Sequence, residues 1–329
     1  MDNFFYGKRV LVTGATGFVG TNLTARLTGL GAQVVGTIHR RQPQLPAQGV
    51  EYVTADLTRM ADCLEVCKKI DYVFMCAANS SGAAVMATQP LVHLTPNVVM
   101  NAQMLAAAYE SGVSKFCFIS SNTVYPVTDH PVKEEEAGFE YFEKYFIVGW
   151  MKRFSEIMCE MYSEKIQNKM STLVVRPGNL YGPFDKFDPA ESKVVAALIR
   201  RAVERQDPFA VWGDGYDVKD FLYIDDFVSG LLQAFAHPGI VGPVNIASGS
   251  AVTVRELLRV ILDESGHHDA TVIFDPSKPT MIPFRKINIS KVRELVGWQP
   301  ETPLSDGIRL TVDWYRESMN LKQANEGRK

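Results

Sequence analysis

The sequence predicts an α/β chain, with a doubly wound parallel sheet and a smaller C-terminal lobe. Three observations carry that expectation. Short β-branched apolar runs alternate with segments of helical length through the first two thirds of the chain. The runs are apolar at nearly every position, which suits strands covered on both faces. The first of them leads directly into a glycine-spaced turn and then a helical pattern.

The elements follow in order. Strands are expected over 9–13, 33–38, 50–55, 72–76, 115–120 and 172–176, with helices over 18–30, 60–69, 94–111 and 148–166 between them. After Arg176 the alternation loosens into Gly and Pro clusters near 177–189 and 212–216. Helices are expected there over 192–205, 253–263, 289–296 and 303–317. A strand over 221–224 and a helix over 226–235 read as a return to the first sheet. The boundary is therefore drawn as 1–176 with 217–245 for the larger domain and 177–216 with 246–319 for the smaller. Residues 320–329 read as a polar, frayed tail.

Composition narrows the function classes. A chain of 329 residues, 46% hydrophobic and 22% charged, is neither disordered nor collagen-like. Thirty-four Lys and Arg against 37 Asp and Glu leave a net charge of −3, so no overall basic field attracts nucleic acid or an anionic membrane. No apolar run approaches the roughly 18–20 residues of a spanning helix, and no charged leader precedes 9–12, so a soluble cytoplasmic protein is expected. The five cysteines are scattered and odd in number, and read as reduced core thiols. Cys63 and Cys67 stand four apart, with nothing nearby to complete a tetrahedral set, so no metal is expected.

The turn after the first run reads Gly14-Ala15-Thr16-Gly17-Phe18-Val19-Gly20. Glycines at this spacing let the backbone turn tightly and approach a pyrophosphate, whose charge then rests on the amides of a helix N-terminus. This is the signature of a Rossmann-type dinucleotide site. At the end of the second strand, where an NAD-preferring domain offers an acid to the ribose, the chain has Ile38-His39-Arg40-Arg41. Arginines there can grip a 2′-phosphate, so NADP(H) is expected ahead of NAD(H). Asp56-Leu57, closing the third strand, is placed to meet the adenine edge, unless Asp56 is a helix cap.

With these motifs in order, others join them. The strand end CAAN spans 76–79, a helix start carries Asn97, FISSNTVYP spans 118–126, RPGNLYGP 176–183, VWGDG 211–215 and KDFLYIDD 219–226. The chain resembles the extended short-chain dehydrogenases/reductases that modify nucleotide sugars, an NAD(P)-dependent epimerase/dehydratase family, most closely its GDP-fucose synthase-like and epimerase-like branches. The resemblance spans nearly the whole chain. It implies NAD(P) on the larger lobe, lined also by Ala77, Ala78, Asn97 and Pro177, and a nucleotide-diphosphate sugar, suggested as a GDP-sugar, in the cleft. It also implies a homodimer formed through the helices over 94–111 and 148–166.

The resemblance assigns catalytic roles to Ser121, as the hydroxyl on the sugar oxygen, and to Lys152, as the cation on the nicotinamide ribose. The family's Tyr is missing. Aligning Lys152-Arg153 and Glu156 with the family pattern puts Val148 where the Tyr of YxxxK belongs; taking Tyr145 instead leaves Gly149 in the place of the Lys. The first register is favoured, with Tyr145 a candidate proton donor about one turn away. Asn122 and Thr123 stand where sugar dehydratases carry Asp-Glu, which argues against dehydration. Thr123 and Phe184 replace the Cys and His of C3/C5 epimerisation, and neither shuttles protons near neutral pH. Thr123, Asn179, Trp212 and Lys219 match the substrate contacts. The expected activity is 4-keto reduction, ahead of C4 epimerisation and of a catalytically silent NADPH-binding protein.

Overall fold

The computed structural model describes residues 3–45, 49–79, 91–189, 191–240, 242–278 and 280–326. In the first half, strands β1 (Arg9–Thr13), β2 (Gln33–Ile38), β3 (Val50–Thr54), β4 (Tyr72–Met75), β5 (Lys115–Ile119) and β6 (Ser171–Pro177) alternate with helices α1 (Phe18–Gly29), α2 (Met60–Val66), α3 (Leu91–Glu110) and α4 (Phe146–Glu160). There follow β7 (Asn179–Tyr181), α5 (Val194–Val203), β8 (Phe209–Trp212), β9 (Val218–Lys219), β10 (Phe221–Tyr223), α6 (Ile224–Ala236) and β11 (Pro243–Ile246). Seven strands lie side by side in the order β11, β6, β5, β4, β1, β2, β3, all parallel.

Burial explains the unbroken apolar runs. Val10 and Val12 face a core shared with Leu23 and Leu27 of α1, while Leu11 between them faces Met104 and Leu105 of α3. The chain leaves β1 toward β2 on one side and places β4 on the other, and such a reversal opens a ligand crevice at the carboxyl ends of the strands. Helix α3 starts at Leu91, ahead of expectation and despite Pro96. A proline there leaves the carbonyl four residues back without its helical donor. Asn79 Nδ2 takes up that carbonyl, of Val92, at 3.1 Å.

The remaining elements are β12 (Val252–Thr253), α7 (Val254–Ser265), β13 (Val272–Asp275), β14 (Phe284–Arg285), α8 (Ser290–Val296) and α9 (Leu304–Glu326). Helix α7 opens on a capping box, with Thr253 Oγ1 accepting from Glu256 N at 3.1 Å and Glu256 Oε2 from Thr253 N at 2.7 Å. The segment expected to return to the large sheet does not. β10 pairs with β7 in a separate sheet, β9 pairs with β12 and β14, and the strand that re-enters beside β6 is β11. Three buried apolar residues look alike whichever sheet they join. The tail is helical to Glu326 rather than frayed from Asn320, and 327–329 lie outside the described residues.

One polar network crosses the core beneath the strand ends. Glu156 of α4 receives Arg176 of β6 through two bonds of 2.9 and 2.7 Å, and also Ser120 at 2.5 Å and Arg153 at 3.1 Å. Arg176 continues to Tyr125 and the Glu134 carbonyl, and Tyr125 to Asn245 on β11. Glu156 and Arg176 are each 1% exposed at the side chain, and removing one partner of such a pair strands a buried charge. Glu156→Ala is expected to lower the unfolding free energy by about 3–5 kcal/mol in denaturant titration. A loss below about 1 kcal/mol would contradict this role.

Candidate active site

The glycine turn closes the crevice between β1 and β4. Gly14 has φ +63°, and a Cβ on it would lie 2.8 Å from Ala77 Cα; a Cβ on Gly20 would strike the Gly14 carbonyl. Gly17 caps α1 with no side-chain bond, and no acid stands in the first turn, so the leading amides of the helix face outward uncapped. That cradle fits a dinucleotide pyrophosphate. Thr16 is buried at its edge, and Phe18 and Val19 anchor the helix start by packing on the core. Behind it, Thr13 Oγ1 accepts from both Cys76 N and Ala77 N at 3.0 Å, locking the end of β4 to β1. Ala78 is exposed next to it.

Where the sequence places the adenosine, His39, Arg40 and Arg41 are exposed beyond β2. Arg41 Nη2 lies 2.8 Å from Glu191 Oε2, a partner with no local signal in the sequence. The Asp56 carboxylate accepts from Thr58 Oγ1 at 2.7 Å and Thr58 N at 3.0 Å, bonds that hold it below the usual carboxylate range, with His39 and Arg59 adding to the effect. It shapes the turn into α2, while the Leu57 side chain is core. The Asn97 amide donates to the Asn79 and His93 carbonyls and accepts from Asn79 N at 2.7 Å, so both donor hydrogens are engaged with the backbone and fix the loop after β4.

At the ends of β4 and β5 the structure brings Ser121, Thr123 and Lys152 together. Ser121 Oγ accepts from Thr123 N at 3.2 Å and from Thr123 Oγ1 at 3.0 Å, which leaves its own hydrogen available to donate. Lys152 Nζ donates to the Ile119 carbonyl at 2.7 Å and stands 4.8 Å from the Phe118 ring centroid. Burial pushes the Lys152 ammonium down to about 8, against an opposing pull from Glu156. Gly149 lets α4 approach: a Cβ there would lie 2.7 Å from both the Thr123 carbonyl and the Tyr141 ring. A glycine inside a helical pattern was the available signal for that contact. Val148 lies in the first turn of α4, one turn before Lys152. Tyr145 caps the helix, its phenol makes no hydrogen bond among the described residues, and burial pushes it up to about 12.

The substrate side is less open than expected at two positions. Asn179 Nδ2 donates to the Asp220 carbonyl at 2.9 Å. Lys219 bonds Asp217 at 3.1 Å and the Ile282 carbonyl, while burial, opposed by Asp217, lowers its ammonium. Trp212 is 47% exposed at the end of β8, and the Pro177 carbonyl accepts from Asn122. The sequence marks Glu156 only as a point of register and not as the acceptor of Arg176 and Ser120, which lie elsewhere in the chain; it does not single out Arg285, which pairs with Lys219 in the β14–β9 register and donates to the Pro126 carbonyl at 3.0 Å. The five cysteines are free thiols. Among the described residues no three His, Cys, Asp or Glu side chains gather as a metal site, and no helix is long and apolar enough to cross a membrane.

A lysine held near 8 weakens the fold at neutral pH, where it still carries its charge. Between about 8 and the ordinary lysine value the unfolded chain binds more protons than the folded one, so this group makes stability rise with pH there. Lys152→Met is therefore expected to raise stability at pH 7 by about 1 kcal/mol, with the gain shrinking toward pH 10. A variant less stable than the parent at pH 7 would refute the assignment.

Known proteins align with this geometry. The profile of the NAD dependent epimerase/dehydratase family matches residues 10–247. The chain is 29% identical to a GDP-mannose 3,5-epimerase of Oryza sativa subsp. indica, over 97% of this chain and 84% of that one. It is 31% identical to a probable GDP-L-fucose synthase of Oryza sativa subsp. japonica, over 95% and 93%, and 27% identical to a dTDP-4-dehydro-6-deoxy-D-allose reductase of Streptomyces bikiniensis, over 94% and 97%. The structure of a Thermotoga maritima UDP-glucose 4-epimerase superposes with a TM-score of 0.85 at 24% identity, over 94% of this chain and 99% of the other. With the profile covering most of its length, the chain belongs to the NAD dependent epimerase/dehydratase family of nucleotide-sugar enzymes.

Proposed function

We propose that the protein reduces a 4-keto group on a nucleoside-diphosphate sugar with NADPH. The observation that carries this reading is the Ser121–Thr123–Lys152 cluster beside Val148. Among the described residues it offers a hydroxyl donor and a cation, and the two positions that the resemblance aligns with an epimerising acid/base pair hold Thr123 and Phe184. When bound, the cofactor supplies the hydride. Ser121, with its own hydrogen free, donates to the keto oxygen, and the Lys152 ammonium favours negative charge as it develops there. The proton that completes the alcohol comes from a solvent water beside Lys152, relayed through the Ser121 hydroxyl, which regains its hydrogen from that water, because Val148 has none to give. Arg40 and Arg41 support the NADP(H) preference, and the name of the Streptomyces relative supports reduction. Thr123 and Phe184 do not support the 3,5-epimerisation of the rice relative's name. Val148 favours one second reading, an NADPH-binding protein without turnover.

In this reading the smaller lobe, expected as 177–216 with 246–319 and joined by β9 and β10, receives the sugar nucleotide. Lys219 and Asn179 lie at its diphosphate, and the exposed face of Trp212 stacks on its base. NADPH fluorescence is expected to fall when nucleoside-diphosphate 4-keto hexoses are added. Ser121→Ala should slow that loss by about 10²–10⁴. Lys219→Ala should raise KM for the sugar nucleotide and leave NADPH affinity unchanged. Tyr145→Phe should stay far below the Ser121 effect; a hundredfold loss would move the proton to Tyr145. Binding of NADPH with no consumption on any such sugar would favour the silent reading.

The homodimer fits the exposed face of α4. Trp150 and Phe154, one turn apart, stack at 5.3 Å with planes 4° from parallel, and Phe146 is exposed nearby. Exposed aromatics grouped this way suit a protein contact. Sedimentation is expected to give twice the 36.6 kDa chain mass, and Trp150→Glu a monomer. A monomeric parent would rule the dimer out.

A further inference from the structure

We infer that Glu191 sets the affinity for the cofactor's 2′-phosphate by holding Arg41, a specificity-determining residue supplied from the far side of the cleft. The inference rests on the NADP(H) reading above. Arg41 follows β2, on the nucleotide side, and Glu191 comes 150 residues later, just before α5. One oxygen, Glu191 Oε2, lies 2.8 Å from Arg41 Nη2 and 2.9 Å from Lys186 Nζ.

The segment carrying Glu191 is tied down a second time. Asn22 Nδ2 of α1 donates to the Pro183 carbonyl at 3.1 Å. Phe184 beside it sits at φ +69°, a left-handed conformation that a bulky side chain adopts only when its surroundings hold it there. Residues 183–189 and Glu191 thus strap α1 to the chain beyond β2, the two elements that bracket the nucleotide in this reading.

Competition at Arg41 follows from relative strength. The Arg41 and Glu191 side chains are 50% and 38% exposed, and an exposed ion pair of this kind is weak. A phosphate that accepts two parallel guanidinium bonds is the stronger partner. Lys186, with Arg41 adding to it, holds the Glu191 carboxylate below its usual range, so Glu191 is charged at neutral pH and competes with an arriving phosphate for Arg41. Once displaced from Arg41 it keeps Lys186, so the strap is not left with an unpaired acid. NADH, lacking the 2′-phosphate, leaves the Arg41–Glu191 pair in place.

The test is a set of fluorescence titrations of NADPH and NADH against the parent chain, Glu191→Gln, Arg41→Ala and the double variant. Glu191→Gln is expected to tighten NADPH by about two- to fivefold, with NADH unchanged. In the Arg41→Ala background the gain should vanish. If Arg41→Ala weakens NADPH while Glu191→Gln leaves it unchanged or weaker, the inference is overturned and the NADP(H) reading stands. If the parent binds both cofactors equally and neither single variant alters their ratio, the cofactor reading itself is overturned, and the inference with it.

Discussion

The buried pair between Glu156 and Arg176 sets where the groups in the cleft sit, because it joins the elements that deliver them. Glu156 lies one turn after Lys152 on α4, and Arg176 is next to the end of β6. Ser120, bonded to the same carboxylate, directly precedes Ser121. A shift of α4 would therefore break a desolvated ion pair before it moved Lys152 away from Ile119. Gly149 completes the constraint, since a Cβ there would lie 2.7 Å from the Thr123 carbonyl and hold the helix off it. One charged network and one close backbone approach hold the site in register.

That rigidity bears on the proposed reading of Val148. The helix, the lysine and the serine loop remain packed as a unit, and Lys152 carries a desolvation cost that a purely structural residue would not need. Tyr145 lies in a half-buried aromatic corner with its phenol pushed up to about 12, so it holds its proton and is a poor base. The chemistry these residues allow is narrow: stabilise an oxygen that gains charge, and deliver a proton through Ser121 or water.

What the sequence revealed follows physical range. Strands covered on both faces leave unbroken apolar runs, so the parallel sheet was legible, and so was a turn that admits only glycines. The proximity of Ser121 to Thr123, and of Lys152 to the end of β5, lies in motifs that the sequence marks, whatever roles these residues have. Contacts between distant segments were not legible. Phe221–Tyr223 was assigned to the wrong sheet because its burial does not say which strand it pairs with. Asn97 was visible but its partner was not, since that partner is the backbone of Asn79. The Arg41–Glu191 contact leaves no periodic or local trace at all.

The most direct measurement of the central claim follows an isotope. NADPH carrying deuterium at the transferable position would be incubated with a nucleoside-diphosphate 4-keto hexose, and the product read by mass spectrometry and NMR. The account predicts deuterium at C4 alone, and, in a parallel reaction in deuterated water with unlabelled NADPH, no solvent label at C3 or C5. Solvent deuterium at C3 or C5, or no transfer to any such sugar by a chain that binds NADPH, would contradict it.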